Sequence, residues 1–310
     1  MFDPVRKQLL EQVRTHLLGR PAIEQNQQAN LDRMRASMTD REQAFWNRDR
    51  EFTAEDLRQE QIKSPPWGVW DGRQATWPRV SSGSSGRQRL RFPYGFDEVL
   101  WAGVGPARAF DVRGITKKDV LFSYDPGRMY VGHMNIRTAF SLILPGHVIE
   151  SQVTTLAEKV RQCVDNQVTF VCGVPKNLEK MARYVIDHKI QMPLRGCAST
   201  GYAFTPEQQG LVETAFGCEI IDFYGSVECG NIFWSCNHGQ NHVNIDLTMI
   251  ENKNNKSLFT GISVMPLFNY VTGDVVEYDW QDSVCACGSH LPTVTNFKTP
   301  INSEQYKNKE

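Results

Sequence analysis

An alternation of strand and helix signals between residues 168 and 224 constrains the fold of this chain more than any other feature. The short β-branched run Val168–Cys172 is followed by apolar residues at helical spacing over residues 178–186. Thr205 then begins a second predicted helix with a proline and a capping-box glutamine after it, and this helix leads into the apolar strand Glu219–Tyr224. This order predicts an α/β fold, with a mainly parallel sheet covered by helices and ligands bound beyond the carboxyl ends of the strands.

The segments on either side of this alternation have different patterns. The first residues carry apolar side chains at helical spacing, and Thr39 with Glu42 and Thr53 with Asp56 have the spacing of capping boxes. Beyond the α/β unit, the helical signal gives way to short polar and β-rich stretches. We therefore predict three parts: an N-terminal helical region over residues 1–75, an α/β core over 76–300 with a β-rich segment at about 230–295, and a polar tail over 301–310.

Composition and charge exclude several classes of protein. The 310 residues include 34 Lys and Arg against 35 Asp and Glu, so no overall charge would hold the chain to nucleic acid or to an anionic membrane. The first residues lack the apolar segment of a signal peptide, and the best apolar run, over 139–144, is too short to span a bilayer. We expect a cytoplasmic protein with no nucleic-acid or membrane partner, in which the eight cysteines are mostly thiols.

A glycine- and serine-rich loop offers the chemistry of a phosphate site. It follows a strand predicted over residues 75–80 and consists of Ser81, Ser82, Gly83, Ser84, Ser85 and Gly86, with Arg87 next. Backbone N–H groups, serine hydroxyls and a guanidinium can wrap a polyphosphate, although a flexible linker has the same composition. Residues 201–250 contain six carboxylates and no Lys or Arg, so an acidic segment able to supply a Mg²⁺ ligand accompanies the loop.

Three motifs in this order resemble those of the adenylate-forming (AMP-binding) superfamily. They are the loop over residues 81–86, the sequence Tyr224-Gly225-Ser226-Val227-Glu228, and the sequence Tyr270-Val271-Thr272-Gly273-Asp274. Four further stretches are similar to the phenylacetate-CoA ligase-like branch: Gly114–Val120, Gly201–Ala203, His242–Asn244 and Cys285–Gly288. The resemblance covers roughly residues 77–297.

This resemblance implies a ligase that uses ATP and Mg²⁺ to activate a small aromatic carboxylic acid as an acyl-adenylate, with CoA, a carrier protein or an amine as acceptor. It implies that Tyr224 stacks on adenine, Glu228 holds Mg²⁺ and phosphates, and Asp274 accepts hydrogen bonds from the ribose. The other nucleotide-binding residues that it implies are those of the loop and Gly201, Tyr202, Gly225 and Ser226. Each motif residue also has an ordinary structural explanation, such as a core tyrosine, a capping glutamate or a turn aspartate.

His133 lies where the resemblance would place the acid pocket, so we expect it to meet the substrate carboxylate, although a lone histidine is more often structural. Asn269 and Val271 stand where relatives usually have basic residues.

The sequence also ends without the C-terminal domain of these relatives, so we expect adenylation with transfer that needs a partner. A homodimer is a further expectation. The alternative is a degenerate member that binds nucleotide or acid without turnover and acts as a zinc-stabilised interaction module.

A second group of residues has the composition of a metal site. Three sulfurs and one imidazole form the ligand set of a closed structural zinc site, and the sequence supplies Cys236, His242, Cys285 and Cys287. His238 or Cys229 would be an alternative ligand. Unligated thiols beside a surface histidine are the other interpretation.

Overall fold

A computed structural model of the chain describes residues 3–47, 50–81, 88–124, 131–151 and 153–299. The helices of this part are α1 (Asp3–Arg14), α2 (Arg20–Ala36), α3 (Asp40–Trp46), α4 (Ala54–Lys63), α5 (Phe96–Ala102), α6 (Val104–Asp111), α7 (Val131–Arg137), α8 (Leu156–Asp165), α9 (Pro175–Asp187) and α10 (Pro206–Phe216). The strands are β1 (Phe52–Thr53), β2 (Arg79–Val80), β3 (Arg91–Phe92), β4 (Val120–Ser123), β5 (His147–Glu150), β6 (Phe170–Gly173), β7 (Gly196–Thr200), β8 (Ile220–Ser226), β9 (Gly230–Ser235), β10 (Asn241–Val243), β11 (Thr248–Lys253), β12 (Lys256–Gly261), β13 (Leu267–Val271), β14 (Val275–Asp279) and β15 (Thr293–Lys298).

The central sheet has nine strands in the order β14-β15-β10-β9-β8-β7-β6-β4-β5. Along this order, neighbouring strands are antiparallel from β14 as far as β8 and parallel from β8 as far as β5. Only residues 227–229 connect β8 to β9, and a parallel crossover needs about a dozen residues or more, so these two strands form a hairpin. The prediction of a mainly parallel sheet is therefore confirmed for the helix-connected half and wrong for the other half. The fold is α/β with a mixed sheet.

A second sheet has four strands in the order β1-β13-β12-β11, and β2 pairs with β3 as a separate hairpin. The strand expected over residues 75–80 is reduced to Arg79–Val80, because Pro78 has no N–H to donate to a ladder. The expected capping boxes are confirmed at the starts of three helices: Thr39 with Glu42 at α3, Thr53 with Asp56 at α4, and Thr205 with Gln208 at α10.

Helices cover both faces of the central sheet. On one face, α8, α9 and α10 bury a cluster that includes Val160, Leu178 and Val212. On the other, Leu9 and Val13 of α1 join one cluster of buried apolar side chains that extends to the second sheet. The N-terminal helices thus share a core with the α/β part, while the division of the chain at residue 75 stays a prediction. No helix of the described ranges has both the length and the apolar character that a bilayer crossing requires.

Candidate functional site

Tyr224 and Asp274, which lie 50 residues apart in sequence, meet at the carboxyl end of β8. The hydroxyl of Tyr224 donates a hydrogen bond to Oδ2 of Asp274. The ring of Tyr224 stacks on Phe233, with centroids 4.7 Å apart, and its centroid lies 4.5 Å from that of Phe297. Burial, and then the neighbouring Asp274 carboxylate, raise the pKa of the Tyr224 phenol well above its ordinary value, so it remains a hydrogen-bond donor.

The second carboxylate oxygen of Asp274 has no hydrogen-bond partner among the residues that the structure describes. The backbone amide of Asp274 donates to the hydroxyl of Thr272 at 3.0 Å, which fixes the turn before β14. Asp274 therefore presents one oxygen that the fold has satisfied and one that is buried without a donor. A ligand hydroxyl would supply the missing donor.

Glu228 lies in the turn between β8 and β9, where its half-buried carboxylate is hydrogen-bonded to the side chains of Ser226 and Tyr270. Burial raises the pKa of Glu228, and these hydrogen bonds oppose the rise. Tyr94 supports the turn, because its hydroxyl donates to the carbonyl oxygen of Val227 at 2.7 Å. The contact to Tyr270 was not anticipated, since a motif spacing does not reveal which tyrosine of one motif faces the glutamate of another.

The turn after Tyr224 requires small residues. A Cβ on Gly225 would lie 2.2 Å from the carbonyl oxygen of Gly230, so only glycine fits there. The hydroxyl of Ser226 accepts a hydrogen bond from the backbone amide of Cys229 at 3.0 Å. Both residues therefore shape the loop that carries Glu228. Their predicted contact with nucleotide stays a prediction.

Gly201 and Tyr202 follow β7, which lies beside β8, so they share the sheet edge with Tyr224. Gly201 has a φ of +107°, which favours glycine. The hydroxyl of Tyr202 accepts a hydrogen bond from the backbone amide of Lys176, near the start of α9, at 3.0 Å. The structure thus places both at the expected edge, and their predicted role in nucleotide binding stays a prediction.

The serine-rich loop begins at the end of the β2–β3 hairpin. The backbone amide of Ser81 donates to the carbonyl of Leu90 at 2.9 Å, and the Ser81 hydroxyl accepts from the Leu90 amide at 2.9 Å. The remaining members, Ser82, Gly83, Ser84, Ser85, Gly86 and Arg87, lie outside the described residues. The phosphate-binding prediction for this loop therefore rests on its sequence.

His133 lies on α7, with 2% of its surface exposed. The helix packs closely on the carboxyl end of β7, since a Cβ on Gly132 would lie 2.6 Å from the side chain of Thr200. This position is compatible with a substrate pocket at that edge of the sheet. Contact between His133 and a substrate carboxylate stays a prediction.

The predicted metal ligands come together at the opposite end of the antiparallel strands. The ligating atoms of Cys236, His242, Cys285 and Cys287 all lie within 4.8 Å of one another. Two thiol sulfurs, those of Cys236 and Cys285, are 3.9 Å apart, and Sγ of Cys287 is 3.3 Å from Nε2 of His242. A tetrahedral zinc with bonds of about 2.3 Å to sulfur places its sulfurs about 3.8 Å apart, so the donor set fits this ion. The alternative ligands His238 and Cys229 are not in this cluster.

The surroundings of the cluster fit a metal as well. Nδ1 of His242 lies 3.3 Å from the carbonyl oxygen of Leu291, so Nε2 is the ring nitrogen that faces the thiols and could bind a metal. The backbone amide of His238 donates to Sγ of Cys236 at 3.3 Å. Hydrogen bonds from Cys287, His242 and backbone amides lower the pKa of Cys236 despite its burial, which favours the thiolate form that metals bind.

No protein-family model matches the sequence, and neither does any curated protein. Solved structures do match. A 2-hydroxyisobutyryl-CoA ligase with 2-HIB-AMP and CoA, in the thioesterification state, gives a TM-score of 0.75 at 16% identity, over 91% of this chain and 68% of that chain. Its open conformation gives 0.72 at 15% identity, over 91% and 75%.

The chain has the adenylate-forming ligase fold. An o-succinylbenzoate coenzyme A synthetase from Bacillus subtilis, in complex with ATP and magnesium ion, aligns more weakly, with a TM-score of 0.50 at 15% identity over 65% of this chain and 47% of that chain. These neighbours are acid–CoA ligases. The resemblance that the three motifs predicted is thus confirmed at the level of the fold, while the phenylacetate-CoA ligase-like branch stays a prediction.

Proposed function

We propose that this protein activates a small aromatic carboxylic acid with ATP and Mg²⁺ as an acyl-adenylate. One observation carries the proposal: Tyr224, Glu228 and Asp274, from two separate motifs, converge at the carboxyl end of β8 in an adenylate-forming ligase fold. In an α/β sheet this is where ligands bind. The fold alone would be weaker support, because one fold hosts many functions.

The chemistry that we propose needs charge stabilisation more than a covalent nucleophile. The substrate carboxylate attacks the α-phosphorus of ATP, and the bond to the bridging oxygen of pyrophosphate breaks, so acyl-adenylate and pyrophosphate form. Glu228 would hold Mg²⁺, which neutralises the developing charge on the phosphates. A carboxylate whose pKa is raised by burial gains most from a bound cation, because the cation compensates the lost hydration.

Binding of the nucleoside would use the Tyr224 and Asp274 pair. Phe233 stacks on the Tyr224 ring, and adenine would stack on its other face. The unpartnered oxygen of Asp274 would accept a ribose hydroxyl, while the Tyr224 hydroxyl holds the other oxygen in place. The acceptor of the acyl group would be CoA, a carrier protein or an amine; the CoA complex of the 2-hydroxyisobutyryl-CoA ligase that is similar to this chain favours CoA.

Exchange of radioactive pyrophosphate into ATP, measured over a panel of aromatic and aliphatic acids, tests this function. We expect exchange with at least one small aromatic acid. Asp274→Asn should raise the ATP concentration that this exchange requires, and Asp279→Asn, which removes an exposed carboxylate at the other end of β14, should not. Exchange with no acid, in protein that still binds ATP, would support the degenerate nucleotide-binding alternative instead. Exchange that is equal in both variants would contradict the site.

We also propose that Cys236, His242, Cys285 and Cys287 hold a structural zinc ion. The support is the compact donor set, with all ligating atoms within 4.8 Å, and the second hydrogen bond of His242 to Leu291. Four protein ligands leave no open coordination position, so the ion would stabilise this end without taking part in the reaction. Elemental analysis of chelator-washed protein should find one zinc per chain, and a content far below that would contradict the site.

A further inference from the structure

Arg79 is a buried cation for which the described part of the chain provides no anion. Only 1% of its surface is exposed. One nitrogen, Nη1, contacts the sulfur of Met134, while Nε and Nη2 have no hydrogen-bond partner in the ranges that the structure describes. A guanidinium group stays protonated in proteins, so this residue cannot avoid the cost of burial by losing its proton.

Arg108 shows how the same chain pairs a buried guanidinium with an anion, although its Nε atom also has no hydrogen-bond partner in the described ranges. Its Nη1 and Nη2 atoms donate to the two oxygens of Asp246 at 2.7 and 2.6 Å, and Thr15 and Asn244 accept further hydrogen bonds. A buried charge without such partners destabilises the folded state. The missing partner of Arg79 is therefore expected to come from a ligand.

The position of Arg79 points to the same site as the motifs. It precedes Ser81, and its guanidinium carbon lies 5.5 Å from the ring centroid of Tyr94. The Tyr94 hydroxyl binds the carbonyl of Val227, the residue before Glu228. Arg79 thus lies beside the side chain that supports the predicted magnesium-binding turn.

A second cation strengthens the field at this place. Arg137 of α7 acts on Arg79 as a like charge, and burial together with this repulsion lowers the pKa of Arg79. Arg137 forms an ion pair with Glu150, but its Nε has no partner within the described residues. In the described ranges Glu150 pairs with Arg137 and no carboxylate pairs with Arg79, so both guanidinium groups keep nitrogen donors without a partner. Fork-shaped guanidinium groups match the geometry of phosphate and carboxylate oxygens.

We propose that Arg79 and Arg137 form a subsite for an anionic oxygen group of a ligand, which is either a phosphate of ATP and pyrophosphate or the carboxylate of the acid. The proposal rests on the proposed function for these two sources, and on the unpartnered guanidinium groups for the existence of the subsite. The two sources share their chemistry, because each offers two coplanar anionic oxygens to one guanidinium. The experiment has to distinguish them.

The experiment titrates the full chain with inorganic pyrophosphate and, separately, with benzoate, by calorimetry. Arg79→Met keeps the length and apolar stem of the side chain and removes the charge. Arg91→Met is the matched control, since Arg91 lies on the partner strand β3 opposite Val80 and is exposed. We expect Arg79→Met to bind one of the probes about tenfold or more weakly than the parent, which is the loss expected for a charge-assisted hydrogen bond, and Arg91→Met to bind like the parent.

The pattern of losses identifies the source. Weaker binding of pyrophosphate alone assigns the subsite to phosphate, and weaker binding of benzoate alone assigns it to the acid. Parent-like affinity of Arg79→Met for both probes overturns the proposal, as does a parent protein that binds neither at millimolar concentration. If pyrophosphate exchange fails with every acid but binding depends on Arg79, the anion subsite stands and the proposed reaction does not.

Discussion

Two regions of the molecule differ in how they treat buried charges. In the region where α1 and α2 pack on α6 and on the strands beside the thiol cluster, which we call the closed end, Arg108 and Asp246 are fully buried and form an ion pair. Asn26 donates a hydrogen bond to Asp246 at 2.8 Å, while Nε of Arg108 has no partner in the described ranges. At the carboxyl end of β8, which we call the open end, Arg79 has no anionic partner and the second oxygen of Asp274 has no hydrogen-bond donor in the described ranges. Stability explains the first arrangement. The unpartnered groups at the open end lower the stability of the folded chain unless a ligand binds to them. This difference separates a structural region from a binding region.

The closed end also connects the N-terminal helices to the cluster of cysteine and histidine side chains. The backbone amide of His290, near the thiols, donates to the carbonyl of His16 at 2.7 Å. The ring of Trp234 lies against both His16 and His242, and its Nε1 donates to Asn244 at 3.2 Å. Changes at this end should therefore alter stability, and changes at the carboxyl end of β8 should alter binding and turnover.

The largest expected effect is the loss of metal from the closed end. Structural zinc contributes about 10 kcal/mol or more of apparent binding free energy in small zinc modules, and this cluster lies in a segment of short strands. Cys285→Ser should therefore lower the melting temperature and bring protease cleavage near the β14–β15 connection. Cys218→Ser, which removes a half-buried thiol outside the cluster, is the control. Equal melting temperatures for Cys285→Ser and the parent would contradict a structural metal.

The next effect concerns Asp246. Asp246→Asn keeps the shape of the side chain but leaves Arg108 buried without a countercharge, which should reduce the free energy of unfolding by about 3–5 kcal/mol. Denaturant titration measures this loss. A reduction below about 1 kcal/mol, which is the net contribution of one ordinary hydrogen bond, would show that the network is dispensable.

The same pair predicts a pH dependence. Burial raises the pKa of Asp246, but Arg108 and its hydrogen bonds outweigh burial, so the net shift is downward. A carboxyl with a lowered pKa in the folded state stabilises the protein above its ordinary pKa and loses this contribution as the pH falls through the lowered value. The difference in unfolding free energy between the parent and Asp246→Asn should therefore shrink in acid. A difference that stays constant on acidification would contradict this linkage.

The sequence predicts the parts of the molecule that depend on local periodicity and spacing. Apolar positions over residues 178–186 identified α9, and Thr205 with Gln208 identified the start of α10. The ligand set at Cys236 and the other three positions was also readable, because the residue types that bind zinc are few.

The remaining features depend on burial and long-range contact. Arg79 is one of 34 Lys and Arg, and such residues are usually exposed, so nothing in the sequence marks it as buried. The contact of Tyr270 with Glu228 joins two motifs whose relative orientation is set by the pairing of distant strands. The antiparallel half of the central sheet follows from the short connection between β8 and β9, which strand–helix alternation upstream does not reveal.

At the open end, Glu228→Gln should reduce turnover and not stability. The amide keeps the hydrogen bonds to Ser226 and Tyr270 but removes the charge assigned to Mg²⁺, and a lost transition-state interaction of this kind costs roughly a hundredfold in rate. The pyrophosphate exchange rate at saturating ATP and the melting temperature are the two measurements. A variant that melts at a lower temperature and exchanges pyrophosphate normally would show that Glu228 has a structural role and not a catalytic one.

The smallest expected effect is that of Tyr224→Phe, which tests how the open end is organised. The phenylalanine keeps the stacking ring beside Phe233 but removes the hydroxyl that holds Oδ2 of Asp274. Because one hydrogen bond to a charged group contributes about 1.5–3 kcal/mol, and water can replace part of it, we expect a several-fold increase in the KM for ATP with little change in kcat. In the Asp274→Asn background the same substitution should have a smaller effect, since the interaction is already weakened. Additive effects of the two substitutions would show that the Tyr224 hydroxyl acts independently of Asp274, and a Tyr224→Phe variant that behaves like the parent would show that Tyr224 acts through its ring alone.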